Sequence, residues 1–515
     1  MRIDPYILKC LTMQREIFQD KIIDEILKRY RVIWALGHAS SIMGWDSETY
    51  MPKKGFRDRA VASSELSTLS KKLLTDPEMV KLVEKALDKY DELNDFEKGV
   101  VRVLERSIRI YTKLPDELVR EIAETREEAR VHWGEAKLKD DFNIFKPYLK
   151  KTIELAKQVA YYLGDGGNPY DALLDLFEEG LTYRDASRYL WEVTSELKKI
   201  FDDVISSERF PQKHPLEEKR YRREDMERVN KIVLDIIGYP WDRARLDVSM
   251  HPFTMSAGLD DVRITTRYEE YDFRRTLYSV LHEFGHALYD LQVDDRFRYT
   301  PIEGGASLGI HESQSRFWEN IVGRDIEFVR ILKPILDENI KFTASYDVEE
   351  LYRYFNIVRP SLIRVDADEL TYDFHILIRM EIENALINDE LEVEEAPEKW
   401  NEMMDKYLGV KPLKDSEGIL QDIHWSIGMI GYFPTYSLGN ILASQILEAF
   451  RRKFGEDVSS YIEKKEFDVI REFLREHIHR YGGMYKPMEL IKLATGEGLN
   501  TRYYIDHLRE KFLLR

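Results

Sequence analysis

The chain has 515 residues, a net charge of −18 and a hydrophobic fraction of 43%. That apolar content excludes a disordered chain, and the acidic balance argues against non-specific binding to nucleic acid or to an anionic membrane, both of which need clustered Lys and Arg. Cys10 is the one cysteine, which excludes an internal disulfide and a cysteine-based zinc site.

In chain order, most segments carry a helical period. Residues 16–42 place Phe18, Ile22, Ile23, Ile26, Leu27, Tyr30 and Val32 at three- and four-residue intervals. Residues 60–112 and 115–163 repeat the pattern with charge on the opposite face. Pro115-Asp116-Glu117 reads as a helix start, with acids in the first turn. Gly164-Asp165-Gly166-Gly167-Asn168-Pro169 reads as a break. Helix resumes over 183–238, interrupted at 210–215. One stretch leaves this period: within 245–268, Leu246 and Val248, and then Val262, Ile264 and Thr266, predict short strands of a small sheet. Helices follow at 271–291, 309–322, 348–388, 396–408 and 436–455.

Length alone sets a prior of two to four domains or one large two-lobed unit. No internal repeat or low-complexity linker divides the sequence, which favours one continuous body over 1–515, with a mainly helical lobe over roughly 1–240 and a chemistry-bearing half over 241–515. No run of about 18 apolar residues predicts a transmembrane helix. The N-terminal segment, with Arg2, Asp4, Lys9, Arg15 and Glu16, lacks the apolar core of a signal peptide. The expectation is a cytoplasmic globular protein, and the scarcity of cysteine suits a reducing compartment.

The strongest chemical signal is His282-Glu283-Phe284-Gly285-His286, an H-E-x-x-H pattern inside a helical segment. On a helix, positions four apart lie on one face, so both imidazoles can grip one metal ion. Glu283 then reaches a water on that ion without ligating it. A third ligand is needed. The variant with His six positions after the second histidine is excluded because residue 292 is Gln292. Glu312, in Ile310-His311-Glu312-Ser313-Gln314, can return on a following helix after the Gly304-Gly305 turn. Its alternative role is an ordinary first-turn acid favoured by the helix dipole. His311 reads as a pocket or supporting group. Asp290, four residues after His286, can orient that imidazole or lie in solvent.

With these motifs the sequence resembles the Taq-type thermostable metallocarboxypeptidases. The resemblance rests on HEFGH at 282–286, HESQSR at 311–316, His251-Pro252-Phe253, Asp261-Val262-Arg263-Ile264-Thr265, the block 363–372 and the block Gly418-Ile419-Leu420-Gln421-Asp422-Ile423-His424-Trp425. Trp45-Asp46, Met51-Pro52 and Tyr170-Asp171-Ala172-Leu173-Leu174 match as well. The resemblance implies a mostly α, elongated two-lobed fold with a deep groove and a small β-sheet, similar to neurolysin and angiotensin-converting enzyme. It implies removal of single amino acids from peptide C-termini with broad specificity, Zn²⁺ or Co²⁺ as the cation, and a homodimer. It also implies His282, His286 and Glu312 as metal ligands and Glu283 as the catalytic carboxylate.

An exopeptidase must read a free α-carboxylate, and a guanidinium does so bidentately. Arg364 is the first candidate, with an ion pair to Asp366 or Asp368 as its alternative role; Arg263 is the second. Asp261 and the strand around it would limit substrate length. Tyr436 and His424 are candidate donors to the oxyanion, and His251, held extended by Pro252, a candidate for the groove wall. An endo-oligopeptidase or a dipeptidyl carboxypeptidase would share the ligand set, and a catalytically silent metal scaffold would have no need of Glu283.

Overall fold

The computed structural model describes residues 13, 14 and 16–514. Cys10 and the charges at Arg2, Asp4, Lys9 and Arg15 lie outside the described residues. The protein is mostly α-helical with one three-stranded sheet, as its periodicity predicts. No helix among the described residues is long and apolar enough to cross a membrane. The chain forms two compact units, one comprising Met1–Thr112, Pro215–Tyr352 and Ile446–Gly498, the other Lys113–His214, Arg353–Gln445 and Leu499–Arg515. The two units are therefore interleaved along the sequence, and their boundaries do not fall at one point near residue 240.

In the first unit, helix α1 (Lys21–Thr49) begins where the Asp20 carboxylate accepts the amide protons of Ile22 and Ile23 at 2.8 and 3.3 Å. This is an N-cap that satisfies orphan donors. The buried Ile23, Ile26 and Leu27 of α1 join Val83, Val101 and Leu104 in one apolar cluster. Strand β1 (Ala244–Val248) runs parallel to β3 (Asp261–Thr266), and β2 (Thr254–Gly258) runs antiparallel to it, in the order β1-β3-β2. The alternation of β1 and β3 is visible in the sequence. Strand β2, with the sequence TMSAG, carries no such signal, and pairing with β3 through the tight turn after Gly258 gives it its extended form.

Helix α2 (Phe273–Leu291) packs on β3 and on α3 (Leu308–Arg316). Its buried residues surround the axis, from Phe273 through Leu281 and Phe284 to Leu288, so it is a core helix. Ser307 caps α3, its hydroxyl accepting from the Ile310 amide at 3.1 Å. At Phe317 the helix widens into a π-turn, Phe317–Val322, closed by the Gly323 amide donating to the Trp318 carbonyl at 2.9 Å.

The second unit is built from long helices that include 116–139, 142–163 and 183–207, with α4 (Tyr372–Ile387) at its centre. The predicted helix over 348–388 is two helices, ending at Phe355 and restarting at Tyr372. Pro360 holds Arg359 out of the helical region. The Asp368 carboxylate then accepts from the amides of Arg359 and Leu370, both at 2.9 Å, and fixes the intervening loop. Glu383 on α4 is fully buried and accepts from Tyr170 Oη (2.6 Å), Trp425 Nε1 (2.6 Å) and the Gly431 amide (2.8 Å). These bonds pin the loop 423–431 to the core of the unit. Gly431 itself has φ +94°, and a Cβ there would stand 2.7 Å from the Leu173 carbonyl carbon.

Gly431→Ala therefore meets both a backbone penalty of about 1–2 kcal/mol and a clash with main chain. Gly409→Ala, at φ +67° with open space around it, meets only the first. Thermal unfolding should show a clearly larger drop in midpoint for Gly431→Ala than for Gly409→Ala.

Candidate active site

Helix α2 presents His282 and His286 on one face, and α3 brings Glu312 against them. The Glu312 Oε2 atom stands 3.6 Å from His282 Nε2 and 3.5 Å from His286 Nε2. The three ligand atoms lie within 4.8 Å of one another. What permits this approach is Gly285. A Cβ at that position would sit 2.6 Å from Ser315 Cα, so the two helices touch through a backbone that carries no side chain.

Atoms on the far side of each ring are tied. His282 Nδ1 bonds Glu319 Oε2 at 2.9 Å. His286 Nδ1 faces His311 Nδ1 at 3.2 Å, and His311 Nε2 faces Asp290 Oδ1 at 3.2 Å. Asp290 is thus bonded to His311, which stands between it and His286, and not to His286 directly. Arg316 joins the acids, its Nε donating to Glu312 Oε1 at 2.7 Å and its Nη1 to Glu319 Oε2 at 3.3 Å. Burial raises the pKa of both carboxyls, but Arg316 and the histidines outweigh it; Glu312 is held well below the usual carboxylate range and Glu319 is brought down to about 2. Both are ionised. His286 is pushed below its ordinary value, chiefly by burial, which favours the neutral form that ligates metals.

These residues fit a divalent cation. With metal–ligand bonds of about 2.0–2.2 Å in a tetrahedron, neighbouring ligand atoms stand about 3.3–3.6 Å apart. The two Nε2–Oε2 separations, 3.5 and 3.6 Å, match that spacing. Two imidazole nitrogens and one carboxylate oxygen are a catalytic rather than a closed structural donor set.

Glu283 is buried next to His282 in the chain, and one of its carboxylate oxygens is engaged by the sheet. Its Oε2 accepts from Thr254 Oγ1 of β2 at 2.6 Å. On β3, Arg263 is held bidentately by Asp261 at 2.6 and 2.7 Å and lies over the Trp45 ring, 5.5 Å from its centroid. His251 is exposed in the turn between β1 and β2, where its carbonyl accepts from Ser249 Oγ at 2.5 Å.

In the second unit Arg364, His424 and Tyr436 come together. His424 Nε2 lies 3.3 Å from Tyr436 Oη, and the Arg364 guanidinium lies 4.9 Å from the Tyr436 ring centroid. The acid on Arg364 is neither Asp366 nor Asp368 but Asp422, at 3.1 Å from Nε and 2.9 Å from Nη2. Asp422 also takes the buried Arg379 at 2.6 Å. Two guanidiniums share one carboxylate, leaving a net positive charge in a buried cluster. Burial, the largest influence on Asp422, raises its pKa; the two arginines reverse this and keep it ionised. Burial lowers the His424 pKa to about 4, so that ring is neutral at pH 7.

Sequence reasoning missed several of these groups. Glu319 and Arg316 had a readable signal, since Glu312, Arg316 and Glu319 fall at i, i+4 and i+7 of one helical face. Asp422 lies within the block 418–425 but nothing local gives it a role, and Arg379 and Thr254 carry no local signal. Gly285→Ala should force α2 and α3 apart, at about 1–3 kcal/mol of overpacking. Titration against a competing chelator should then show at least a ten-fold loss of divalent-cation affinity, although no ligand is altered.

A family model described as carboxypeptidase Taq (M32) metallopeptidase matches residues 25–512. Thermostable carboxypeptidase 1 of Pyrococcus furiosus is 53% identical over 499 residues, covering 97% of this chain and 100% of that protein. Carboxypeptidase 1 of Bacillus subtilis is 38% identical over 505 residues, covering 97% of this chain and 98% of that protein. The solved structure of Pyrococcus furiosus carboxypeptidase aligns with a TM-score of 0.95 at 53% identity, over 96% of this chain and 100% of that one. That of the M32 carboxypeptidase from Deinococcus radiodurans aligns with a TM-score of 0.92 at 34% identity, over 96% and 99%. The chain belongs to the carboxypeptidase Taq (M32) family of metallopeptidases and is a metal-dependent carboxypeptidase acting on peptides.

Proposed function

We propose that His282, His286 and Glu312 hold the divalent cation of this carboxypeptidase and that Glu283 carries the proton during peptide cleavage. The observation supporting this most directly is the convergence of three ligand atoms within 4.8 Å. When bound, the cation supplies Lewis acidity, polarising the scissile carbonyl and lowering the pKa of water. Glu283 accepts a proton from the attacking water and returns it to the leaving amine. Thr254 occupies Oε2 and so sets the carboxylate plane, leaving Oε1 for that transfer. His424, neutral at pH 7, and Tyr436 serve as hydrogen-bond donors to the developing oxyanion.

Arg364 reads the substrate's α-carboxylate. Its support is the net positive charge of the cluster with Arg379 and Asp422, which an incoming carboxylate neutralises. Arg263 is the second candidate for that carboxylate, the strand around Asp261 the proposed limit on substrate length, and His251 a proposed part of the groove wall. Zinc is the proposed native cation because two imidazoles and a carboxylate suit it, with cobalt as the substitute. Further proposals are that both units serve one peptidase, that the protein forms a homodimer, as the family resemblance suggests, and that it works in the cytoplasm, as its single cysteine suggests.

Glu283→Gln should retain the cation, measured by elemental analysis, and lose about 10²–10⁴-fold in kcat on a blocked dipeptide. Near-normal turnover would overturn the role of Glu283. Arg364→Ala should raise KM for peptides with a free C-terminus by about ten-fold or more while leaving cation content unchanged. Equal loss of cation and activity would mark Arg364 as structural.

A further inference from the structure

The two candidate ligand imidazoles are anchored differently. His282 Nδ1 rests directly on the ionised Glu319. His286 Nδ1 rests on a second imidazole, His311. Two nitrogens 3.2 Å apart can share one hydrogen only if one ring donates and the other accepts. A ring that gives Nε2 to a cation carries its hydrogen on Nδ1. His286 is therefore the donor and His311 Nδ1 the acceptor. The hydrogen of His311 then sits on Nε2, where Asp290 Oδ1 accepts it at 3.2 Å. One arrangement of protons satisfies all three groups.

The packing around His311 is built to hold that ring. Gly305 does not adopt a left-handed backbone, so its lack of a side chain answers to space. A Cβ there would lie 2.5 Å from His311 Cδ2 and 2.8 Å from its Nε2. The Tyr289 ring covers His311 at 4.7 Å between centroids, and Tyr289 Oη accepts the Ala306 amide at 3.0 Å. The loop 305–306 and the Tyr289 side chain thus clamp the imidazole.

We propose that His311 is a positioning residue: it orients His286 towards the cation, is set in turn by Asp290 and the Gly305 backbone, and makes His286 the more weakly anchored of the two ligand histidines. This rests on the assignment of His282, His286 and Glu312 as ligands. A neutral ring is a weaker acceptor than a carboxylate, so release of the cation begins on the His286 side. An amide can replace the imidazole, because it too offers one acceptor and one donor.

The test measures zinc affinity by chelator competition, the rate of chelator-driven release, and the visible absorption of the cobalt-substituted protein. His311→Leu should weaken affinity by about 10–100-fold, speed release and alter the cobalt spectrum. His311→Gln should stay within about three-fold of the unaltered protein. Gly305→Ala, which removes no polar group, should shift all readouts in the direction of His311→Leu. Melting of the metal-free proteins separates loss of fold from loss of orientation. The proposal is overturned if His311→Leu and Gly305→Ala leave affinity and release within two-fold, or if His311→Gln is as damaging as His311→Leu at equal apo stability. His286→Ala tests the underlying assignment separately: retained affinity there defeats the ligand reading, whereas loss there with none in His311→Leu defeats only the role of His311.

Discussion

Everything chemical in the first unit depends on how closely α2 and α3 approach. The motif supplies two histidines on one helix, but a third ligand must arrive from another helix whose backbone would ordinarily stand 8–10 Å away. At Gly285 the two main chains meet without an intervening side chain, and Glu312 reaches the histidines with its Oε2 about equally spaced from both. The glycine is therefore as much a part of the site as the ligands, although it touches no reacting atom. Three residues further along α3, the Ser315 hydroxyl donates to the Glu312 carboxylate at 3.2 Å, so the ligand is restrained from its own helix as well.

Two buried charge clusters follow from this arrangement and from its counterpart in the second unit. Around the candidate metal centre, Glu312 and Glu319 share Arg316, and Arg324 adds a second guanidinium to Glu319 at 3.2 Å. In the second unit the numbers are unequal, with Arg364 and Arg379 on a single Asp422. Buried charges persist only when paired and hydrogen-bonded: at the candidate metal centre two carboxylates meet two guanidiniums, whereas the cluster of the second unit keeps a surplus positive charge where a carboxylate is proposed to sit.

The parts of the site that the sequence made legible are those fixed by local geometry. Histidines four apart on a helix must share a face, so His282 and His286 could be read directly, and the turn at Gly304-Gly305 made Glu312 the natural third partner. The resemblance to a family carried the fold and the activity further than spacing could. What stayed hidden were pairings across long sequence separations. Asp422 lies 58 positions from Arg364, and nothing near Arg364 distinguishes it from Asp366 and Asp368, the nearer acids. Strand β2 was hidden for a related reason: its extended form comes from its partner rather than from its own residues. The interruption between Phe355 and Tyr372 was partly legible, since Pro360 stood in view inside a pattern read as one helix.

The π-turn at Phe317–Val322 has a further implication. A π-turn is an α-helix carrying one extra residue, and Glu319 sits within it, two turns beyond Glu312. Removing one residue between Glu312 and Glu319 would shorten their spacing from seven positions to six, and successive residues of a regular helix point about 100° apart. Glu319 would then turn away from the face it shares with Glu312 and lose its bond to His282. The spacing of these two acids along the helix, as well as their identity, is therefore what keeps Glu319 on His282.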